Sequence, residues 1–90
     1  DVNVTIGRDV TLYPGTILQG STTIGDSCEI GPDTRLTDCT VADGARVEHS
    51  VGHQATIGAD ATVGPYAHLP AGSEVLSNAT TGAFYTAPVS

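Results

Sequence analysis

The sequence contains three histidines, His49, His53 and His68, whose imidazole side chains could bind a metal ion. Zinc requires three or four converging ligands, and imidazole nitrogen is one of the ligands it prefers. The three residues do not form a compact motif, because His49 and His53 are 4 residues apart but His68 follows His53 by 15 residues. Whether they converge therefore depends on the elements that carry them.

Carboxylates could in principle supply acid and base groups, and ten acidic residues give the chain a formal net charge of -7. Four of them, Asp26, Asp33, Asp43 and Asp60, occupy positions typical of turns, where aspartate bonds to backbone N–H groups. We therefore expect turn caps rather than a pair of catalytic carboxylates. The three cations are the single, scattered arginines Arg8, Arg35 and Arg46, so neither nucleic acid nor anionic membrane is an expected partner.

A repeat of six residues runs through the chain and defines the elements that must position these groups. Each unit begins with an aliphatic residue, glycine follows it in seven units, and a small residue usually occupies the fifth position. The aliphatic is expected to point inward, and the small residue is expected to fit a narrow interior near a corner. In the short unit LTDCT, from Leu36, this assigns Thr40 to the small position.

Taken three units at a time, the aliphatic residues form three columns. The short units at Leu36 and Val47 remove three residues, yet the columns remain mostly aliphatic on both sides of them. The predicted columns are Ile6, Ile24, Val41, Ile57 and Val75; Leu12, Ile30, Val47, Val63 and Thr81; and Leu18, Leu36, Val51, Leu69 and Ala87. This pattern predicts an all-β solenoid of about five turns. A small sandwich is the competing fold, but its alternation of period two is not sustained.

The two cysteines, Cys28 and Cys39, show neither a CxxC motif nor a disulfide framework. We expect free, half-buried thiols in a reducing cytosol; a Cys28–Cys39 bridge is the alternative. No apolar run approaches a membrane-spanning length. The chain begins at Asp1 without a signal peptide, which suggests a fragment or a processed chain.

The repeat resembles the hexapeptide motif of left-handed parallel β-helices, and a longer match is more specific. The run "DVTLYPGTILQGSTTIGDSCEIGPDTRLTDCTV" and the run "IGADATVGPYAHL" resemble one bacterial family. It is the bifunctional N-acetylglucosamine-1-phosphate uridyltransferase / glucosamine-1-phosphate N-acetyltransferase family, in the N-terminal part of its acetyltransferase domain. The resemblance implies a left-handed single-stranded β-helix and a homotrimer. It also implies binding of acetyl-CoA and glucosamine-1-phosphate between neighbouring solenoids, with a histidine as general base.

The sequence departs from that family where the family binds its substrates. The family's "LRPG" is "LPAG" here, so the arginine expected to bind the sugar phosphate is Pro70. In the segment "GAFYTAP", Gly82 and Phe84 match the family, but its acidic position is Thr86 and its lysine is Pro88. The family's base histidine, tyrosine and later asparagines would lie beyond Ser90. A nucleotidyl half is not present in this sequence.

Other chemistries are weaker interpretations of the same residues. Related left-handed helices include carbonic anhydrases with three zinc-binding histidines, but His49, His53 and His68 fall at outward or corner positions of different units, so we prefer solvent-facing histidines. An ice-binding threonine array would need threonine at one outward position turn after turn. Successive units instead place Thr11, Ile17, Thr23, Glu29 and Arg35 there. The Asn78-Ala79-Thr80 sequon carries no expectation in a cytosolic protein.

The preferred hypothesis is therefore a non-catalytic structural or assembly segment of an acetyltransferase β-helix, from a cytoplasmic enzyme of UDP-N-acetylglucosamine and cell-wall synthesis. The alternatives are an active acyltransferase that uses His53 or His68 as base, and a free-standing or engineered solenoid. No catalytic, substrate-binding or metal residue is predicted in this chain, and no cofactor or metal. Residues 1–68 are expected to be well formed and residues 69–90 degenerate, with a last turn distorted by Tyr85.

Overall fold

The computed structural model describes residues 3–83 and 85–86. Within them the backbone forms thirteen very short strands and no helix. The strands are β1 (Thr5–Ile6), β2 (Thr11–Leu12), β3 (Ile17–Gln19), β4 (Thr23–Ile24), β5 (Glu29–Ile30), β6 (Arg35–Thr37), β7 (Thr40–Val41), β8 (Arg46–Val47), β9 (Val51–His53), β10 (Thr56–Ile57), β11 (Thr62–Val63), β12 (His68–Leu69) and β13 (Glu74–Val75). The described residues contain no helix that could span a membrane.

Every third strand pairs in parallel, so the chain coils around three sheets. We call their outer surfaces the first face (β1-β4-β7-β10-β13), the second face (β2-β5-β8-β11) and the third face (β3-β6-β9-β12). The prediction of an all-β, left-handed parallel β-helix is confirmed. The strands make about four turns rather than the five predicted, because after β13 the described pairing reduces to the isolated bridges Thr62–Thr80 and His68–Thr86.

The core is a stack of the predicted columns. In the first column Ile6 pairs with Ile24, Ile24 with Val41, and Val41 with Ile57. From the second turn onward these side chains are almost fully buried, with 1% of Ile24 and none of Ile57 exposed. The equivalent Ile6 in the first turn is 44% exposed. Each aliphatic is thus covered by the turns on both sides of it, and each such burial contributes roughly 1.5–3 kcal/mol.

The third column differs from the prediction at one turn. The inward partner of Leu36 and Leu69 is Gly52, whereas Val51 pairs with Arg35 and His68 and is 46% exposed. A Cβ on Gly52 would lie 3.1 Å from Leu36 Cδ2 and 3.2 Å from Cys39 Sγ, so those neighbours already occupy the space. The coil therefore shortens by one residue at each of three units, which begin at Leu36, Val47 and Gly52, and not by the predicted short units at Leu36 and Val47 alone.

The small positions line the corners of the interior. Cys28, Ala45, Ala55 and Ala61 are at most 2% exposed. The prediction for Thr40 is wrong: Thr40 is exposed and Cys39 fills the buried position, because the unit from Leu36 is one residue short there. Where a hydroxyl is buried it bonds to a backbone carbonyl, as Thr22 Oγ1 does to Gln19 O at 2.7 Å. No buried side-chain nitrogen or oxygen in the described residues lacks a partner.

Residues 69–90 are described only in part. Val75 continues the first column beneath Ile57 and is 5% exposed, and Tyr85 is partly buried and packs against the core. Ala87 and Pro88 lie outside the described residues, as does Phe84. The division into a well-formed part and a degenerate part stays a prediction.

Candidate functional site

Tyr13, Glu29 and Arg46 form the most connected polar cluster on the described surface. Glu29 and Arg46 are paired residues of adjacent strands β5 and β8, and both point outward on the second face. Tyr13 directly follows β2, the next strand of the same sheet. Parallel pairing thus places side chains from three successive turns together, although 16 and 17 residues separate them along the chain.

Both oxygens of the Glu29 carboxylate have a partner. Tyr13 donates its hydroxyl to Oε1 at 3.1 Å, and Arg46 donates Nε and Nη2 to Oε2 at 3.2 and 3.0 Å. The Arg46 hydrogen bonds, then the Tyr13 hydrogen bond, lower the pKa of Glu29, and the same carboxylate raises the pKa of Tyr13. A carboxylate held in its ionised form is a poor base near neutral pH, so this geometry suits charged recognition and positioning better than proton transfer.

A cleft of about 340 Å³ opens beside this cluster. Its wall includes Pro32, Glu48 and Thr62 in addition to the three clustered side chains. The Glu48 carboxylate has no hydrogen-bond or ion-pair partner among the described residues, and the Arg46 side chain is 65% exposed. The cleft has no histidine, cysteine or serine among its lining residues, so the described wall contains no nucleophile–base pair of the Ser–His or Cys–His kind.

The three histidines do not converge. His49 lies at the corner between the second and third faces, where it stacks on Tyr66 with ring centroids 5.3 Å apart and approaches Asp33 with Nδ1 3.8 Å from Oδ2. His53 and His68 point outward from β9 and β12 rather than from corners. Within residues 3–83 and 85–86 no three His, Cys, Asp or Glu side chains are arranged to hold a metal ion.

Asp26 and Asp43, two of the four aspartates singled out in the sequence, act as the predicted turn caps. Asp26 Oδ1 accepts a bond from the Arg8 N–H at 2.8 Å, and Asp43 Oδ1 accepts one from the Asp26 N–H at 2.7 Å. Asp33 and Asp60 do lie at corners, with left-handed φ of 52° and 57°, but neither carboxylate accepts a backbone hydrogen bond among the described residues. Sequence reasoning did not single out Asp38, whose Oδ1 accepts the Ser21 N–H at 2.8 Å.

The two cysteines are free, as predicted, but they are fully rather than half buried, and burial raises the pKa of both thiols.

The prediction that threonine does not recur at one outward position from turn to turn is wrong. Thr5, Thr23, Thr40 and Thr56 follow one another on the first face, because equivalent positions recur every third unit and not in successive units.

The positions at which the family resemblance expects substrate-binding groups have other roles here. Pro70 follows β12, and its carbonyl accepts the Ser73 N–H at 3.0 Å and also the Ser73 hydroxyl, which closes the next turn. Thr86 forms an isolated bridge with His68. Pro88 lies outside the described residues. Neither described position carries a charge.

Comparisons with known proteins agree with this architecture. Residues 3–38 match the family model described as bacterial transferase hexapeptide (six repeats). The chain is a hexapeptide-repeat domain. It is 52% identical over 84 residues to the bifunctional protein GlmU of Rhodococcus opacus, and these residues are 93% of this chain and 17% of the relative. The corresponding protein of Mycolicibacterium vanbaalenii is 54% identical over 84 residues, and that of Geobacillus is 43% identical over 81 residues. The domain thus spans less than a fifth of these relatives.

Solved structures share the fold of this hexapeptide-repeat domain. A variant of perosamine N-acetyltransferase from Caulobacter crescentus, solved with CoA and GDP-perosamine, superposes with a TM-score of 0.91 at 20% identity. The match covers 96% of this chain and 42% of that one. The N-terminal domain of CcmM, solved in complex with CcmN, superposes with a TM-score of 0.67 at 13% identity, covering 96% of this chain and 97% of that one.

Proposed function

We propose that this domain is part of the acetyltransferase β-helix of a GlmU-type enzyme and that it acts there as a non-catalytic structural and assembly module. The observation that carries the proposal is the combination of 52% identity over 84 residues with Pro70 at the position of the expected phosphate-binding arginine. Proline offers neither a charge nor a backbone N–H to a phosphate. By the family resemblance, the whole enzyme transfers acetyl from acetyl-CoA to glucosamine-1-phosphate, towards UDP-N-acetylglucosamine for the cell wall, in the cytoplasm.

The domain contributes a rigid coil and an association surface. Its core is continuous from Ile24 to Val75, and each turn is hydrogen-bonded to the turns beside it. The acetyl-CoA site of the whole enzyme lies elsewhere in this proposal, and this chain binds neither acetyl-CoA nor a metal on its own. The assembly is a trimer, as the family resemblance implies.

Acetyl-CoA turnover is the first test of the non-catalytic role. The purified chain is incubated with acetyl-CoA and glucosamine-1-phosphate, and CoA release is measured against the full-length Rhodococcus opacus relative as positive control. We expect no release above the buffer rate. Turnover that is lost in His53→Ala or His68→Ala would establish the alternative, an acyltransferase that uses one of these exposed histidines as base.

Sedimentation equilibrium is the second test. A folded chain that sediments at three times its mass of 9.1 kDa supports an assembly module. A folded monomer at every concentration would leave only the solenoid and would overturn the assembly role.

A further inference from the structure

A hollow in the second face lies beside Gly31. The residues that directly follow β2, β5 and β8 are Tyr13, Gly31 and Glu48, and all three line the cleft of about 340 Å³. Gly31 is buried and contributes no side chain, so it forms part of the floor between the other two. Neighbouring strands lie about 4.8 Å apart, so two strand spacings separate the backbones of Tyr13 and Glu48 by about 10 Å. A small, chain-like molecule can therefore contact both walls of the cleft.

Two opposite charges lie side by side on one wall without pairing with each other. Arg46 and Glu48 flank the inward Val47 of β8 and both are exposed. Arg46 turns to Glu29 of the preceding turn, with Nη2 3.0 Å from Oε2. The Glu48 carboxylate has no hydrogen-bond or ion-pair partner among the described residues. The wall thus presents a free carboxylate beside a cation that is already held in place.

Arg46 retains hydrogen-bond donors after it has bound Glu29. A guanidinium group has five N–H donors. Glu29 accepts one from Nε and one from Nη2, and the rest have no partner in the described part of the chain. Tyr13 donates to the other oxygen of Glu29 and so fixes the carboxylate that holds the guanidinium. Arg46 can therefore accept a second carboxylate, from a ligand, at its exposed edge.

The charge pattern favours a ligand that carries both signs. A simple anion would meet Glu48 and a chain with a net charge of -7, whereas a simple cation would meet Arg46. An amino carboxylate is neutral overall and offers an ammonium group to Glu48 and a carboxylate to Arg46. A phosphate monoester carries about -1.5 to -2 charges at pH 7, so an amino phosphate would remain anionic beside Glu48.

The spacing of the two side chains favours a particular length of ligand. Outward residues two positions apart on one strand lie about 7 Å apart. An α-amino acid carries both charges on one carbon atom and is too short to bridge that distance, whereas a few methylene groups between the charges provide the reach. Pro32 and Val63 supply apolar surface in the same cleft for those methylene groups. A volume of 340 Å³ is at the lower end of the usual range for ligand pockets, which suits a small metabolite.

We propose that this cleft binds a small ω-amino carboxylate, whose ammonium group bonds to Glu48 and whose carboxylate bonds to Arg46. The site requires neither acetyl transfer nor assembly, so it goes beyond the function proposed above and does not depend on it. Both charged side chains are exposed to water, which weakens each ion pair. We therefore expect a dissociation constant in the millimolar range.

A series of ligands tests the proposal on the unmodified chain. NMR titration with γ-aminobutyrate should cause saturable shifts at the backbone amides of Gly31, Val47 and Glu48. Butylamine and butyrate each lack one of the two charges, and we expect each to bind at least ten-fold more weakly. Free glycine, which has both charges but not the length, should also bind at least ten-fold more weakly.

Two variants assign the contacts. In Glu48→Gln the preference for γ-aminobutyrate over butyrate should disappear, because the partner of the ammonium group is gone. In Arg46→Gln the preference over butylamine should disappear instead. Glu74→Gln and Arg35→Gln are matched controls, because they remove the same charges from exposed positions of the first and third faces. Far-UV circular dichroism and urea unfolding establish that each variant is folded.

The outcomes decide the chemistry of the site. The proposal is wrong if millimolar γ-aminobutyrate causes no saturable shift at those amides, or if Glu48→Gln weakens binding no more than Glu74→Gln. Equal affinity for butylamine would reveal a site for cations, and tighter binding of phosphoethanolamine would reveal one for phosphates. Either result would overturn the assignment to an amino carboxylate. The assembly role is tested separately by sedimentation and stands or falls without these results.

Discussion

The carboxylate of Asp38 lies directly over the Cα of Gly20, in the space that a Cβ on Gly20 would occupy. The same carboxylate caps Ser21, the residue after that glycine, so one aspartate both closes the preceding turn and depends on the absence of a side chain there. Asp43 has the same relationship to Gly25, and the Asp60 carboxylate likewise occupies the space of a Cβ on Gly44. Glycine and aspartate are thus coupled between successive turns.

We expect this coupling to be measurable for Gly20 and Asp38. Gly20 has φ of 66°, so Gly20→Ala costs about 1–2 kcal/mol for backbone conformation alone and more for the collision with Asp38. In an Asp38→Ala background the collision disappears and only the backbone cost remains. Urea unfolding of the four proteins should give a coupling of about 0.5–3 kcal/mol. Strictly additive free energies would show that the two residues do not interact.

The inward assignment of the first column is tested at adjacent residues. Ile57 is fully buried, and Thr56 beside it points outward. Ile57→Asp buries an unpaired charge and should unfold the chain. Thr56→Asp places a like charge opposite the exposed Glu74 and should lower the free energy of unfolding by only about 1 kcal/mol. Thermal melting followed by circular dichroism measures both. An unchanged melting curve for Ile57→Asp would contradict the column.

The corrected third column gives a sharper test, because sequence and structure disagree there. With Leu36 and Cys39 already against Gly52, Gly52→Val overfills the interior and should destabilise the chain by about 1–3 kcal/mol. Val51→Thr alters an exposed side chain and should be nearly neutral in urea unfolding at a concentration where the chain is dissociated. The reverse order of effects would restore Val51 to the column.

The buried thiols predict a loss of stability at alkaline pH. Since burial raises the pKa of Cys28 and Cys39 in the folded chain, the unfolded chain loses these protons first. Their contribution is complete below the unfolded thiol pKa of about 8.5 and declines as pH rises above it. Urea unfolding between about pH 8 and 9.5 should show the decline, and Cys28→Ala/Cys39→Ala should reduce it. An equal slope in the double variant would exclude the thiols as its cause.

The Glu29 cluster predicts a site-specific pKa. The carboxyl pKa of Glu29, measured by NMR, should lie below the usual value of about 4.3, and Arg46→Gln should raise it more than Tyr13→Phe. Because the folded pKa is lowered, the contribution to stability is present above the unfolded pKa and is lost as pH falls through the folded one. A Glu29 pKa that stays the same in Arg46→Gln would contradict the cluster.

The sequence predicts the solenoid because aliphatic residues recur every six positions and the structure needs one inward group per short strand. The assignment of Val51 to the third column fails because a search for aliphatic residues cannot detect an inward glycine, Gly52, whose space is filled by Leu36 and Cys39. The cluster of Tyr13, Glu29 and Arg46 is missed for a different reason. The arginines look isolated along the chain, although the predicted turn length already makes residues 16–18 positions apart neighbours. Comparing residues one turn apart would have found both the cluster and the threonine row.

Units of five and six residues coexist in this coil without disturbing the stacked strands. From Leu36 to Val41 the corner is one residue shorter than from Ile24 to Ile30, yet Val41 still pairs with both Ile24 and Ile57. The length of a corner is thus decoupled from the register of the sheets. A single-codon deletion or insertion at a corner changes the local loop and leaves the interior intact. Related chains that gain or lose residues at these corners can therefore differ in length as well as in sequence and keep the same fold.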